Sequence, residues 1–142
     1  MRIILDSGAI IASQRNDPTM AAILKAARKY RTPILVPATV FAETWFGHST
    51  HARTTHLFGS IDGFPELNEQ SARQVGALLA LSKTAAIVDG NVVAIAIALR
   101  PAAIVTSDVH DVTHLLKSAK IPHALFGARE PPVPAQITII HI

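Results

Sequence analysis

Apolar positions along the chain fall into short β-branched bursts separated by longer stretches of helical spacing. Arg2-Ile3-Ile4-Leu5 ends on Asp6 and runs through Ser7-Gly8-Ala9 into Ile10-Ile11, which predicts a strand feeding directly into a helix. Asp17-Pro18 supplies a cap followed by proline at the first helical position, and Ala21, Ile23, Leu24 and Ala27 carry a helix to Tyr30. Pro33-Ile34-Leu35-Val36-Pro37 is a second burst, bounded by prolines. Val40, Phe41, Thr44 and Trp45 then recur at helical spacing, so the second strand leads into a helix that carries Glu43.

The stretch from His48 to Gly63 is polar and reads as a loop plus a short helix with Leu57, Phe58 and Ile61 on its apolar side. Glu69 to Lys83 predicts an amphipathic helix with Ala72, Val75, Leu78, Leu79 and Ser82 on one face, whereas Asp89 to Leu99 has no polar face past its first turn and predicts a buried helix. Ala103-Ile104-Val105-Thr106 repeats the arrangement of the first strand, with Asp108 just beyond it and Val112, Leu115 and Leu116 at helical spacing afterwards. After the Pro131-Pro132-Val133-Pro134 loop, Ile137 to Ile142 is a last β-rich segment, expected to pair along a sheet edge. Strands alternating with helices predict one α/β domain over residues 1–142, with a mostly parallel central sheet and helices on both faces.

Composition narrows the chemistry. An apolar fraction of 49% with only 5% aromatics means a core of Ile, Val, Leu and Ala, as in a covered parallel sheet. With no cysteine, disulfides, thiolate zinc sites and thiol catalysis are excluded, and a reducing cytoplasm is the expected location. A carboxylate at Asp6 interrupts any secretory leader, and the apolar run Val92–Leu99 is far short of the roughly 20 residues that span a bilayer, so no membrane role is expected.

In an open parallel sheet, ligands bind beyond the carboxyl ends of the strands. Asp6 and Asp108 follow strands there, Glu43 sits about two turns into its helix, and Asp89 opens the buried helix. Four carboxylates from four segments thus converge on one rim, where their repulsion calls for a bound cation. Hard oxygen donors favour Mg²⁺ or Mn²⁺. If Asp111 joins them, the remaining surface carries 13 Lys and Arg against only half of the ten acids, a net charge of about +8 that would attract a polyanion. Metal beside a basic surface points to phosphodiester hydrolysis.

Each acid has a plainer reading beside this one. Asp89 and Asp108 read equally well as helix caps. Asp6 has no capping duty that Ser7 could not serve, and Glu43, among Val40-Phe41 and Trp45-Phe46, needs a partner or a metal if buried. His48, His51 and His56 lie in the polar segment without an accompanying carboxylate motif and read as solvated surface, as does His110 between Asp108 and Asp111. Arg15, Lys83 and Arg100 lie near helix ends, where a phosphate could be met.

Four segments together, Ile4-Leu5-Asp6-Ser7-Gly8-Ala9-Ile10, Phe41-Ala42-Glu43, Ile87-Val88-Asp89-Gly90-Asn91-Val92-Val93-Ala94 and Val105-Thr106-Ser107-Asp108-Val109-His110-Asp111, resemble the PIN-domain family, particularly its VapC-type toxins. The resemblance implies a PIN-like fold and a metal-dependent endoribonuclease acting as the toxin of a toxin–antitoxin pair. It implies a catalytic set of Asp6, Glu43, Asp89 and Asp108, with Asp6, Asp89 and Asp108 on Mg²⁺ or Mn²⁺. Ser7 and Thr106 would give hydroxyl support, and Asp111 matches a more variable acidic position. The implied partners are an RNA substrate, a cognate antitoxin protein and a second copy in a homodimer. Gly8 and Gly90-Asn91 depart from the family pattern without removing a carboxylate.

Gly8 also stands where a haloacid-dehalogenase-like phosphotransferase needs its second aspartate, and the late-strand lysine of a receiver domain is missing. The remaining alternative is a PIN-like RNA-binding or protein-interaction module with a vestigial metal site.

Overall fold

The computed structural model describes residues 1–45, 52–129 and 133–142. Strand β1 (Arg2–Leu5) is followed by α1 (Ser7–Gln14) and α2 (Pro18–Tyr30), then β2 (Ile34–Leu35), α3 (Ala38–Thr44) and α4 (Ala52–Gly59). Helices α5 (Glu69–Ser82) and α6 (Ile87–Ala98) precede β3 (Ala102–Thr106), α7 (Val109–Ser118), β4 (His123–Leu125) and β5 (Ile137–His141). Phe46, His48, His51 and the Pro131-Pro132 pair lie outside the described residues, while the short helix expected before Gly63 is α4, with Leu57 and Phe58 buried.

Local chemistry sets the helix ends. The Asp17 carboxylate accepts from Met20 N at 2.8 Å with Pro18 behind it, and α2 stops at Arg31 in the left-handed region, φ 52°. Asn68 and Ser71 form a reciprocal box at the start of α5, each side chain accepting from the other's backbone N–H.

The strands form one sheet in the order β2-β1-β3-β5-β4, and every pairing is parallel. The register sets Leu5 opposite Val105, so the chain leaves β1 and β3 side by side. All five residues of β3 are buried, which requires cover on both faces of the sheet. Helices α1 and α6 both pack on β1 and β3, α1 within the group formed with α2, α3 and α4, and α6 within the group formed with α5 and α7. Ile4, Leu5, Ile10, Val92, Ile104, Leu116 and Ile139 are fully enclosed between them.

The last segment corrects one expectation. Rather than lining an edge, β5 is interior, pairing Ala102↔Ile137 through Thr106↔His141 on one side and His123↔Ile137 on the other. The edge on that side is β4, three residues beginning with a polar histidine, too short for any alternation to mark it in sequence.

Candidate active site

From β1 the chain moves outward to β2, then crosses back to β3 on the opposite side of β1, so the β1/β3 boundary is the topological switch point of the sheet. Asp6 leaves the end of β1 there, its N–H bonded to Val105 O at 3.2 Å, and Asp108 follows β3 two residues beyond Thr106. A cavity of about 390 Å³ opens at this point, lined by Asp6, Ser7, Gly8, Ile11, Glu43, Ala86, Ile87, Val88, Asp89, Ser107 and Asp108. All four carboxylates singled out in the sequence therefore face one space.

Their surroundings differ. Asp6 is buried, 5% exposed, and its carboxylate accepts from Ala9 N at 3.0 Å as the N-cap of α1. The capping duty assigned to Ser7 thus falls to Asp6, because the Ser7 hydroxyl is turned away to donate to Oε2 of Glu43. Burial raises the Asp6 carboxyl above its ordinary value, with the Asp108 charge adding to it, while hydrogen bonds from Thr106, Ala9 and Gly8 pull it back in part. Asp108 caps α7, accepting from Asp111 N at 3.1 Å, and its own N–H donates to the Thr106 hydroxyl at 2.9 Å. Thr106 hence touches both strand-end acids.

Unlike Asp6 and Asp108, Asp89 caps nothing: α6 begins after Ala86, without a side-chain cap, and Asp89 lies inside its first turn. Half-buried, it is pushed up to about 6, first by burial and then by the charges of Asp6, Asp108, Asp111 and Glu43. Oxygens of Asp89, Asp108 and Asp111 lie within 4.8 Å of one another, a grouping compact enough to chelate a cation. Asp111, given only a variable role on the sequence, thereby stands nearer to Asp89 and Asp108 than a supporting position implies.

Glu43 departs from expectation in being exposed rather than buried. Its apolar neighbours do not enclose it, because Phe41 stacks on Trp45 at 5.6 Å between ring centroids and packs against Phe58 and Phe64, which draws the aromatic side of α3 away from the carboxylate. Sequence reasoning also missed Ser107. A Cβ placed on Gly8 would collide with the Ser107 hydroxyl and come within 2.9 Å of Ser107 Cβ and 3.1 Å of its backbone N, so glycine is what lets the β3–α7 turn close against α1. The only sequence signal was the glycine itself.

Among the described residues, the basic and imidazole candidates do not line this cavity. Arg15 lines an adjoining cavity of about 410 Å³ that shares Gly8, Ile11 and Ser107 with the acidic one. Arg100 donates to Gln136 Oε1 at 2.8 Å, Lys83 terminates α5, and His56 and His110 are exposed. No single helix among the described residues is long and apolar enough to cross a membrane.

No protein-family model matches the sequence, and neither does any curated protein. Among solved structures, the chain is similar to one in the crystal structure of VapBC2 from Rickettsia felis bound to a DNA fragment from their promoter. The match has a TM-score of 0.60 and 12% sequence identity, and covers 80% of this chain and 92% of that one. At that identity the likeness concerns the fold: an α/β chain with a five-stranded parallel sheet between helices, the PIN-like architecture expected from the sequence.

Proposed function

We propose that the protein is a metal-dependent endoribonuclease, acting in the cytoplasm as the toxin of a toxin–antitoxin pair. The observation that carries the reading is the convergence of Asp6, Glu43, Asp89 and Asp108 on one cavity, where burial and the neighbouring charges raise Asp89. Such repulsion is costly without a counter-ion and is relieved by a divalent cation. The donor set fits a hard cation: oxygens only, with Asp89, Asp108 and Asp111 close enough to share an ion and Asp6 beside them. Asp6, Asp89 and Asp108 are the residues we assign to Mg²⁺ or Mn²⁺, with Asp111 as an additional donor. When bound, such an ion supplies electrophilic assistance to phosphodiester hydrolysis.

The chain's own groups do the rest. The Thr106 hydroxyl holds the Asp108 backbone and the Asp6 carboxylate in fixed relation, and Ser7 orients Glu43 at the mouth of the cavity, placed to accept a proton from an attacking water. The fold likeness to a chain of VapBC2 bound to a promoter DNA fragment supports a protein partner of the antitoxin kind here. A guanidinium from that partner, bidentate on the carboxylates, would take the place of the cation and silence the site. A homodimer belongs to the same reading.

The test is cleavage of a single-stranded RNA by the purified protein with Mg²⁺ or Mn²⁺, with Ca²⁺ and with EDTA. Cleavage with the first two, little with Ca²⁺ and none in EDTA is expected, since the larger and looser Ca²⁺ shell positions water poorly. Full activity in EDTA would overturn the metal-dependent reading, and RNA binding without cleavage under all conditions would favour the vestigial module.

A further inference from the structure

The buried helix α6 carries one polar side chain where its packing calls for an apolar one. Asn91 is 0% exposed, surrounded in sequence by Val92, Val93 and Ile95, and its Nδ2 donates to the Thr39 hydroxyl of α3 at 2.7 Å. Its Oδ1 has no partner among the described residues. A half-satisfied buried amide is a net cost to stability that leucine, of similar volume, would remove. Among the described residues this is the side-chain hydrogen bond that joins α3 to α6. The two helices bring separate acids to the cavity: Glu43 lies one turn beyond Thr39 on the same face of α3, and Asp89 lies two residues before Asn91. On another side of the helix, Gly90 lets α6 press against α5, since a Cβ there would meet Leu79 Cδ2 at 2.9 Å and Val75 Cγ1 at 3.3 Å. Helix α6 is therefore seated by close contact on the α5 side and by a directional bond on the α3 side.

We propose that Thr39 and Asn91 are positioning residues whose hydrogen bond sets the register of α3 on α6 and thereby the approach of Glu43 to Asp89. Apolar packing alone leaves that register free to slide, because aliphatic contacts have no direction, whereas one buried polar pair selects a single alignment at the expense of stability. The inference rests on the reading of the carboxylate cavity as a cation site.

The test compares Thr39→Val, Thr39→Ser and Asn91→Leu with wild type by thermal melting without metal and by calorimetric titration of Mn²⁺ alone. Asn91→Leu should melt at or above the wild-type temperature and Thr39→Val below it, since Thr39→Val strips the buried Asn91 amide of its acceptor; both should bind Mn²⁺ about tenfold more weakly, while Thr39→Ser, keeping the hydroxyl, should stay within about twofold of wild type. Mn²⁺ affinity equal to wild type in Thr39→Val and Asn91→Leu overturns the inference alone. So does a loss of affinity confined to Thr39→Val, where it merely follows the fall in melting temperature. A wild-type protein that takes up no Mn²⁺ overturns the cation site and this inference together.

Discussion

The Ser7 hydroxyl donates to Oε2 of Glu43, joining the first turn of α1 to the last turn of α3 across 36 positions of sequence. The bond is exposed, so its net worth to stability is small, about 1 kcal/mol or less. Its value lies in aiming a carboxylate that nothing else among the described side chains holds. Ser7→Ala should therefore leave the melting temperature nearly unchanged while lowering kcat for RNA cleavage about tenfold with KM little altered, in the range seen when a group supporting a functional side chain is removed. A Ser7→Ala protein with wild-type kcat would show that Glu43 needs no orientation.

Two of the acids are also helix caps, which makes the choice of substitution informative. Asparagine caps about as well as aspartate, whereas alanine loses about 1 kcal/mol. Asp6→Asn and Asp108→Asn should therefore abolish cleavage without loss of stability, and Asp6→Ala should be both inactive and less stable. Cleavage assays beside urea denaturation separate the two effects. Equal stability of Asp6→Asn and Asp6→Ala would contradict the cap, and activity in Asp6→Asn would contradict its assignment to the cation.

Stability without metal should fall as pH rises. Burial and the surrounding carboxylates raise Asp89 from 3.8 to about 6, and burial raises Asp6 as well. A raised carboxyl binds its proton more tightly in the native state than in the unfolded chain, so the native state holds more protons between 3.8 and about 6 and is penalised as they leave. The melting temperature in EDTA should fall through that window and level off above it, with Asp89→Asn removing much of the fall. With Mn²⁺ present the added stabilisation should instead grow through the window, because ligands must be deprotonated to bind. A metal-free melting temperature that climbs across the window would show that the carboxylates are stabilised in their charged forms.

Gly8→Ala tests the close approach of α1 to the β3–α7 turn. The new methyl group would displace the Ser107 side chain and press on its backbone N at 3.1 Å, moving the turn that carries Asp108. Overpacking of this kind costs about 1–3 kcal/mol. We expect lowered stability and lowered cleavage, both partly recovered by adding Ser107→Gly. If the double variant is no better than Gly8→Ala, the clash lies elsewhere.

What the sequence made legible were features with a period or a fixed chemistry. Two apolar bursts closing on Asp6 and Asp108 marked the ends of β1 and β3, Asp17-Pro18 marked the start of α2, and the unbroken apolar run after Asn91 marked α6 as buried. Convergence of Asp6, Glu43, Asp89 and Asp108 followed from the parallel topology alone. Properties that depend on partners distant in sequence were not legible. Glu43 looked enclosed because Phe41 and Trp45 flank it, and only their stacking with each other and with Phe58 and Phe64 leaves it open to solvent. Asp6 was read as free of capping because the alternative use of Ser7 depends on a residue in another helix. Asn91 read only as part of the Gly90-Asn91 departure from the family pattern, and its meaning required Thr39.

The strand order carries a consequence for synthesis. Since β5 lies between β3 and β4, the neighbour that completes β3 and gives β4 any pairing at all is the strand that leaves the ribosome after both. Until Ile137–His141 emerges, a nascent chain already possessing Asp6, Glu43, Asp89 and Asp108 has a largely apolar β3 with one bare edge, open to pairing with another chain. The acids are thus all translated well before the sheet that fixes them can close. A ribosome stalled short of Ile137 would hold an unfinished sheet prone to aggregate rather than a folded domain.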